Sequence, residues 1–456
     1  GRWFESTLLY QKMTKEKNNK PSKELPLGFV DRQEKELLVR DFIISNIKEV
    51  MIKYGFQYLE TPSFEYSDSI GKFLPDKERP DEGVFSFKDE NKWLSLRYDL
   101  TAPLARYVAK NYLEIPKPFK RYQLGTVWRN EKPGPGRFRE FLQFDADYVG
   151  TKSLQADAEL CVMISEILEK CGVAKLEYII KISSRKITEE LFKKINIKDN
   201  QQRLTALRAL DKIDRLGWNG VKELLGEGRK DKSGDFTKGA NLKLEDIKTI
   251  EETLKKNSPE TEDLVEILKI FKDYNFNNFE FDPSVIRGLE YYTGAIFEVN
   301  LKFDVTNNKG QVIQFGSIGG GGRYDNLVNN FGNYDAPATG ISIGLDRLVY
   351  ALMQKKEFKV KQSKPVVICV FDKKSMKDYI NVQTILREAG ISTEIYPGES
   401  KLKKQMEYAN KIKSPAVILY GENEIKSGKP TLRNLSSGEE KSIEIKELVN
   451  EIKKII

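Results

Sequence analysis

Apolar and polar residues alternate along the stretch from position 119 to 150, on both sides of a tip rich in Pro and Gly. The residues that share one side are Tyr122, Leu124, Thr126 and Trp128 before the tip, and Phe138, Glu140, Leu142, Phe144 and Ala146 after it. A period of two residues is typical of β-strands, and Pro and Gly favour a turn between them. The pattern therefore predicts a long antiparallel hairpin, around which we expect the rest of the chain to be organised.

A helical period precedes this hairpin. Apolar residues recur at steps of three and four between positions 38 and 54 and stop at Gly55, which predicts a long amphipathic helix. Asp31 and Glu34 lie three residues apart at its start, and we expect them to form a capping box. A strand interrupted at Pro62 follows, and a Pro there suits an edge or interface position.

Further periodic segments complete an α+β core and a separate C-terminal α/β domain. The core segments are a strand at 92–100, a helix at 101–109, a helix at 155–169 and a strand at 176–182. The expected divisions are a flexible arm at 1–24, core at 25–185, a helical insertion at 186–278, core again at 279–353, a charged linker at 354–364 and the α/β domain at 365–456.

The amino-acid composition argues against a membrane protein and against a secreted one. Charged residues make up 32% of the 456 residues and the net charge is +8, with no apolar run near the ~20 residues that a membrane span needs. The chain is therefore expected to be soluble and without a membrane partner. Three unclustered cysteines indicate a reducing compartment, and the first residues lack the features of a signal peptide. We therefore expect a cytoplasmic protein without a metal site.

The hairpin also carries candidate chemistry. Arg129 and Glu131 are two residues apart, so they project from the same face of the first strand and could clamp a phosphate, although solvated charges on a surface hairpin are an alternative. Asp99 and Thr101 could hold a substrate ammonium group. For Asp99 the alternative is the N-cap of the helix that follows.

Four separated segments resemble one known family. Arg129 with the return stretch RFREFLQFD resembles the second signature motif of class II aminoacyl-tRNA synthetases. The stretch IRGLEYYTGAIFEV at 286–299 and the stretch SIGGGGRYDNL at 317–327 resemble signatures of histidyl-tRNA synthetases, and ATGISIGLDRLV at 338–349 resembles the third class II motif. The resemblance extends over nearly the whole chain from position 25.

This resemblance implies a role for each candidate residue. Arg129, Arg287 and Arg347 are the expected catalytic cations. The residues expected around the amino acid histidine are Asp99, Thr101, Arg129, Gln143, Asp147, Arg287, Tyr291 and Tyr292, and those expected around ATP are Arg129, Glu131, Phe141 and Arg347. Phe141 and Arg347 would stack on the two faces of adenine.

The implied activity is that of a histidine–tRNA ligase. Such an enzyme activates L-histidine with ATP, with Mg²⁺ bound mainly through the ATP phosphates, and transfers histidine to the 3′ end of histidine tRNA. The resemblance also implies a homodimer, and it makes the C-terminal domain an anticodon-binding domain. Two alternatives stay open: a non-catalytic regulatory paralogue, and a synthetase for another amino acid such as threonine or proline.

Overall fold

The computed structural model describes residues 22–71, 83–230, 234–256, 260–287, 291–307, 309–313, 315–355, 358, 364–398 and 400–456. The chain divides into two compact units, Gly1–Lys359 and Val360–Ile456. Most of the N-terminal arm predicted at 1–24 and of the linker predicted at 354–364 lies outside the described residues.

The first unit contains most of the regular structure. Its helices are α1 (Glu34–Lys53), α2 (Ser67–Gly71), α3 (Thr101–Lys110), α4 (Leu154–Lys170), α5 (Arg185–Lys194), α6 (Asn200–Leu210), α7 (Ile213–Leu225), α8 (Leu244–Leu254), α9 (Glu262–Asp273) and α10 (Leu345–Leu352). Its strands are β1 (Gln57–Tyr58), β2 (Phe64–Tyr66), β3 (Ser86–Asp89), β4 (Lys92–Leu96), β5 (Phe119–Trp128), β6 (Glu140–Val149), β7 (Tyr178–Ser184), β8 (Gly228–Lys230), β9 (Phe236–Lys238), β10 (Phe279–Phe281), β11 (Ala295–Leu301), β12 (Val305–Thr306), β13 (Val312–Ile313), β14 (Ser317–Arg323) and β15 (Ala338–Gly344).

An eight-stranded sheet forms the centre of this unit, in the order β1-β5-β6-β15-β14-β11-β7-β10. The five pairings from β5 to β7 are all antiparallel, and only the edge strands β1 and β10 pair in parallel. The predicted hairpin is confirmed, because β5 and β6 pair along their full ten-residue length, from Phe119 opposite Val149 to Trp128 opposite Glu140.

One face of the sheet is covered by helices. Helix α10 packs on β6, and α4 packs on β15. Asp157 on α4 accepts hydrogen bonds from Thr339 on β15 and from Arg323 at the end of β14, and all three side chains are buried. Since side chains alternate along a strand, the neighbours of Thr339 and Arg323 point to the opposite face. That opposite face carries the polar residues described below.

The second unit alternates strands and helices, as the sequence predicts. Its elements are β16 (Val366–Cys369), α11 (Met376–Glu388), β17 (Thr393–Ile395), α12 (Leu402–Lys411), β18 (Ala416–Leu419), α13 (Glu422–Ser427), β19 (Thr431–Asn434), β20 (Glu440–Ser442) and α14 (Ile445–Lys453). The five strands form one sheet in the order β17-β16-β18-β19-β20. The segment 421–440 begins with helix α13 and leads into the antiparallel pair of β19 and β20.

One local prediction is wrong. Helix α1 begins at Glu34 with Gln33 as its N-cap, and no side chain caps it, so Asp31 and Glu34 form no capping box. The backbone enters the helix later than the Asp31–Glu34 spacing suggests. The buried residues Val39, Ile43 and Ile47 therefore fix the helix through packing rather than through a cap. Among the described residues, no helix combines the length and the apolarity needed to cross a membrane.

Candidate active site

Strand β6 supplies the floor of a polar site. Phe141, Gln143, Asp145 and Asp147 alternate along it, and the last three are buried. Asp145 lies between Gln123 on β5 and Ser342 on β15, and the row continues to Gly320 on β14. The antiparallel register therefore brings acids, amides and a hydroxyl together on the face of the sheet opposite α4 and α10.

Glycines make room for the side chains that lie over this floor. A Cβ on Gly320 would come within 2.8 Å of Arg287 Nη1, and a Cβ on Gly340 would clash with the carboxylate of Asp147. The Cβ on Gly320 would also come within 2.7 Å of the Phe297 backbone oxygen, which cannot move aside as the end of an arginine side chain can. The glycine-rich stretch is thus a strand that lets other side chains approach its backbone closely.

Arg129 lies at the end of β5 against two aromatic rings. Its guanidinium carbon is 4.5 Å from the centre of the Tyr98 ring and 5.2 Å from that of Phe141. The Tyr98 hydroxyl donates to Glu131 Oε1 at 2.7 Å. Burial would lower the pKa of Arg129, but Tyr98, Glu131 and Asp99 more than offset this and raise it above its usual value. The structure therefore brings Arg129, Glu131 and Phe141, three of the residues expected around ATP, close to one another.

A second cluster surrounds Asp145. Gln143 Nε2 donates to Asp145 Oδ1 at 2.8 Å, and Thr101 Oγ1 donates to Asp145 Oδ2 at 3.4 Å. Gln143 Oε1 accepts from Arg129 Nη2 at 3.4 Å, which joins this cluster to the arginine. Asp99 lies one residue before Leu100, the N-cap of α3, and its Oδ1 accepts from the backbone amides of Thr101 and Ala102. Burial raises the pKa of Asp99 despite these bonds.

Asp147 is buried between a hydrogen-bond donor and a cation. Tyr324 donates its hydroxyl to Oδ1, and Arg121 Nη2 lies 3.1 Å from Oδ2. Burial raises the pKa of Asp147 to about 6, although the Arg121 charge works against this; the Asp145 charge adds to the rise. Asp147 therefore titrates close to neutral pH, which a surface aspartate does not.

Arg287 closes the far side of the site. Its Nη1 lies 3.5 Å from Glu298 Oε2, and the Tyr292 hydroxyl oxygen accepts a hydrogen bond from its side chain. The Tyr291 and Tyr292 rings lie 4.9 Å apart. Burial would lower the pKa of Arg287, but the surrounding acids, Tyr292 and Glu298 first, raise it. Positions 288–290 of the predicted signature lie outside the described residues.

Arg347 lies near the hairpin tip, in α10. Its guanidinium carbon is 4.3 Å from the centre of the Phe315 ring, and it donates to the backbone oxygens of Phe315 and Ser317. Burial, with the charge of Arg137, lowers its pKa to about 10. Arg347 thus stays charged at neutral pH. Its guanidinium group lies against the ring of Phe315, a residue that was not among the predicted site residues.

The structure also adds residues to the site. Asp145 and Arg121 are buried at its centre, and neither was among the predicted site residues. Asp145 lies between Gln143 and Asp147 in a two-residue period, so the alternation of β6 could have indicated it. Arg121 alternates in the same way with Gln123 on β5. Nothing local in the sequence indicates that Tyr324 reaches Asp147.

Comparison with known proteins identifies the family to which the chain belongs. The family model described as histidyl-tRNA synthetase matches residues 28–348, which is well over half of the chain. The chain belongs to the histidyl-tRNA synthetase family. A model described as an anticodon-binding domain matches residues 364–455, in the second unit.

Full-length histidyl-tRNA synthetases agree with this assignment. The histidine–tRNA ligase of Bartonella quintana (strain Toulouse) is 47% identical over 460 residues, covering 94% of this chain and 92% of the relative. That of Rhizobium meliloti (strain 1021) is 46% identical, covering 95% and 92%. The chain is therefore an aminoacyl-tRNA ligase with histidine–tRNA ligase activity, and the predicted function is confirmed.

Solved histidyl-tRNA synthetases share the fold. The crystal structure from Nostoc sp. PCC 7120 superposes with a TM-score of 0.71 at 26% identity, covering 96% of this chain and 100% of that one. The apo S. aureus structure superposes with a TM-score of 0.63 at 20% identity, covering 94% and 99%. The predicted fold class, an antiparallel sheet core followed by an anticodon-binding domain, is confirmed. Family membership also makes ATP a substrate.

Proposed function

We propose that Arg129 and Arg287 together hold the histidine carboxylate and the ATP α-phosphate during adenylate formation. The observation that carries this proposal is their arrangement on one sheet face: Arg129 donates to Gln143 on β6, and the guanidinium of Arg287 lies over Gly320 on β14. A guanidinium stays charged and binds oxygen anions through two parallel N–H groups. The attack of a carboxylate on phosphorus needs alignment and charge stabilisation more than it needs proton transfer.

The residues around Asp145 and Asp147 form the histidine pocket in this proposal. Asp99, Thr101 and Gln143 face the ammonium group. Asp147 and Tyr292 bind the imidazole ring, and Tyr291 lines the pocket. Two buried partners already hold the Asp147 carboxylate in place, Tyr324 and Arg121, so it is preorganised for a ring N–H.

ATP occupies the end of the site near the hairpin tip. Phe141 and Arg347 stack on the adenine ring, and Glu131 lies beside it, held by Tyr98. Mg²⁺ would be bound mainly by the phosphate oxygens, because the described residues include no group of three or more His, Cys, Asp or Glu side chains that could hold a metal ion. The ion would supply charge neutralisation during the attack. We place the enzyme in the cytoplasm.

The test is ATP–pyrophosphate exchange with each of the amino acids in turn, followed by charging of histidine tRNA. We expect exchange with L-histidine alone, since a pocket that pairs with both ring nitrogens rejects other side chains on the order of 10⁴-fold or more. Exchange with threonine or proline instead would refute the assignment of the pocket. Histidine binding without exchange would refute the catalytic roles of Arg129 and Arg287.

Asp147→Asn should raise the KM for histidine by a larger factor than the KM for ATP, because the change is confined to the imidazole side of the pocket. The pH dependence gives a sharper readout. The pKa of Asp147 is raised to about 6, so the ionised acceptor is present above that pH and lost as pH falls through it. The chain contains no histidine, so no side chain of ordinary pKa near ~6.5 confuses the profile.

Histidine itself titrates near this pH, and triazolylalanine separates the two groups because its ring is far less basic. With triazolylalanine, kcat/KM for activation should still rise from pH 5 to pH 7 in the unmodified enzyme, and Asp147→Asn should remove the rise. A flat profile for the unmodified enzyme would show that substrate, not Asp147, titrates. Equal effects of Asp147→Asn on the two KM values would remove Asp147 from the imidazole site.

We propose a homodimer that forms through an aromatic face of the small sheet β2-β4-β3. This aromatic face consists of Phe64, Tyr66, Phe87, Leu94 and Leu96. The rings of Phe64 and Phe87 meet at 5.5 Å, and 49% and 44% of these two residues are exposed in the single chain. Contiguous exposed aromatic residues of this kind mark protein interfaces.

Phe64→Asp should convert the dimer to a monomer, because it places a charge in the centre of an apolar contact. Sedimentation equilibrium measures this directly. The matched control is Trp93→Asp, since Trp93 is equally exposed and lies on β4 but points to the opposite face. A Phe64→Asp chain that stays dimeric, or a control that dissociates equally, would place the interface elsewhere.

A further inference from the structure

Asp145 is the most buried acid of the site, with 1% of its surface exposed, yet the reaction as described assigns it no task. It faces the two side chains expected to meet the substrate ammonium group, Thr101 and Gln143. Each of these side chains can either donate or accept a hydrogen bond, because a hydroxyl and a carboxamide each carry a donor and an acceptor. An ammonium group carries only donors. The subsite works only if both residues turn their acceptors towards it.

The hydrogen bonds to Asp145 set that orientation. An ionised carboxylate only accepts, so it takes the Gln143 Nε2–H group at 2.8 Å and the Thr101 hydroxyl proton at 3.4 Å. Gln143 Oε1 is thereby turned away from Asp145, and it meets Arg129 Nη2. Because the Thr101 hydroxyl proton points to Asp145, the lone pairs of the Thr101 oxygen can accept a hydrogen bond from the ammonium group. Ser342 also donates to Asp145 from the neighbouring strand.

We propose that Asp145 is a positioning residue that fixes the hydrogen-bond polarity of the ammonium subsite, by forcing Gln143 and Thr101 to present acceptors. The inference rests on the proposed function of the site. Burial raises the pKa of Asp145, while the charge of Arg121 and the hydrogen bonds from Gln143, Ser342 and Thr101 favour its ionised form. Asp145 touches neither substrate nor ATP in this role and acts through its neighbours.

Two histidine analogues test the role by calorimetric titration of the full chain. L-Histidinol keeps the ammonium group and lacks the carboxylate, whereas 3-(imidazol-4-yl)propionate keeps the carboxylate and lacks the ammonium group. Asp145→Asn retains the shape but can donate, so the Gln143 amide loses its fixed orientation. We expect histidinol to bind on the order of 10- to 100-fold more weakly and imidazolylpropionate to bind as before.

The control is Asp263→Asn, because Asp263 is also buried and also accepts from a hydroxyl, that of Ser184, but lies on α9 outside the site. It should leave both affinities unchanged. If Asp145→Asn weakens both analogues equally, or neither, the polarity role is overturned. An unmodified chain that binds neither analogue would instead overturn the proposed function of the pocket.

A second variant keeps the test decisive if Asp145→Asn does not fold. Thr101→Val removes one donor to Asp145 and one acceptor for the ammonium group while leaving the buried carboxylate with Gln143. Histidinol should bind several-fold more weakly and imidazolylpropionate unchanged, and Thr101→Ser, which keeps the hydroxyl, should restore histidinol binding. Equal histidinol affinities of Thr101→Val and Thr101→Ser would contradict the proposal.

Discussion

Arg287→Ala should slow histidyl-adenylate formation on the order of 10²–10³-fold, about 2.7–4 kcal/mol of transition-state stabilisation, the loss usual for one preorganised charge contact. Arg287 lies over Gly320 beside Glu298 and Tyr292, so its guanidinium is held in place before substrate arrives. The phosphate oxygens of ATP are charged in the ground state, but this charge is redistributed as the transition state forms, and Arg287 is placed to stabilise the redistributed charge. The substitution should therefore lower kcat far more than it raises the KM for histidine.

Single-turnover measurement of adenylate formation checks this expectation. The backbone at Arg287 has a φ of 51°, a left-handed conformation that costs alanine as much as arginine, so the change tests the guanidinium rather than the backbone. Arg229→Ala is a suitable control, since Arg229 pairs with Glu223 in the insertion, away from the sheet. A full rate in Arg287→Ala would remove this residue from the mechanism.

Arg121→Leu should destabilise the first unit by about 3–5 kcal/mol, the usual cost of leaving a buried charge without its partner. Arg121 is completely buried, with Nη2 3.1 Å from Asp147 Oδ2 and 2.8 Å from the backbone oxygen of Leu100. Asp145 also depends on its charge. Removing Arg121 leaves two buried carboxylates with no opposing cation.

The loss should depend on pH in a fixed direction. A carboxyl group whose pKa is raised on folding contributes stability at low pH and loses it as pH rises through the folded value, which for Asp147 is already about 6. Without Arg121 that pKa rises further. The destabilisation by Arg121→Leu should therefore be small at pH 5, below the pKa of Asp147, and large at pH 8, where Asp147 is ionised.

Tryptophan fluorescence during urea unfolding is a selective measurement, because the tryptophans of the described residues, at positions 93, 128 and 218, all lie in the first unit. Lys152→Leu is the matched control: Lys152 and Asp335 form an ion pair of which both side chains are highly exposed, and such pairs contribute little. A pH-independent effect of Arg121→Leu would show that its packing, not its charge, matters.

Most of the fold follows from periodicity along the chain. The two-residue alternation around the hairpin tip predicts β5 and β6 because each strand has one face against the helices and one against the site. The sequence signals for where a helix begins and ends predict the structure less well than periodicity does. Asp31 and Glu34 have the spacing of a capping box, but the burial of Val39 and Ile43 decides where α1 lies, and packing of this kind is not visible in a spacing.

The site residues also divide into those that the sequence pattern brings together and those that only the folded chain brings together. Arg129, Glu131 and Phe141 are close in sequence or lie on paired strands, so the hairpin alone brings them together. Asp147 was predicted, but its partners Arg121 and Tyr324 depend on strand pairing and on a contact across 177 residues of sequence. Arg347 was predicted to stack on adenine, and its contact with Phe315 adds a neighbour that only the folded chain reveals.

The glycines beneath Arg287 and Asp147 have a consequence for redesigning amino-acid specificity. At Gly320 and Gly340 the space of a side chain is already filled by a residue that arrives from another element. A library that varies these glycines would mostly yield unfolded or inactive chains. Enlarging the pocket for a bulkier amino acid has to proceed through a shorter side chain at Tyr291, which lies outside the strands, because Tyr324 and Tyr292 are hydrogen-bonded to Asp147 and Arg287.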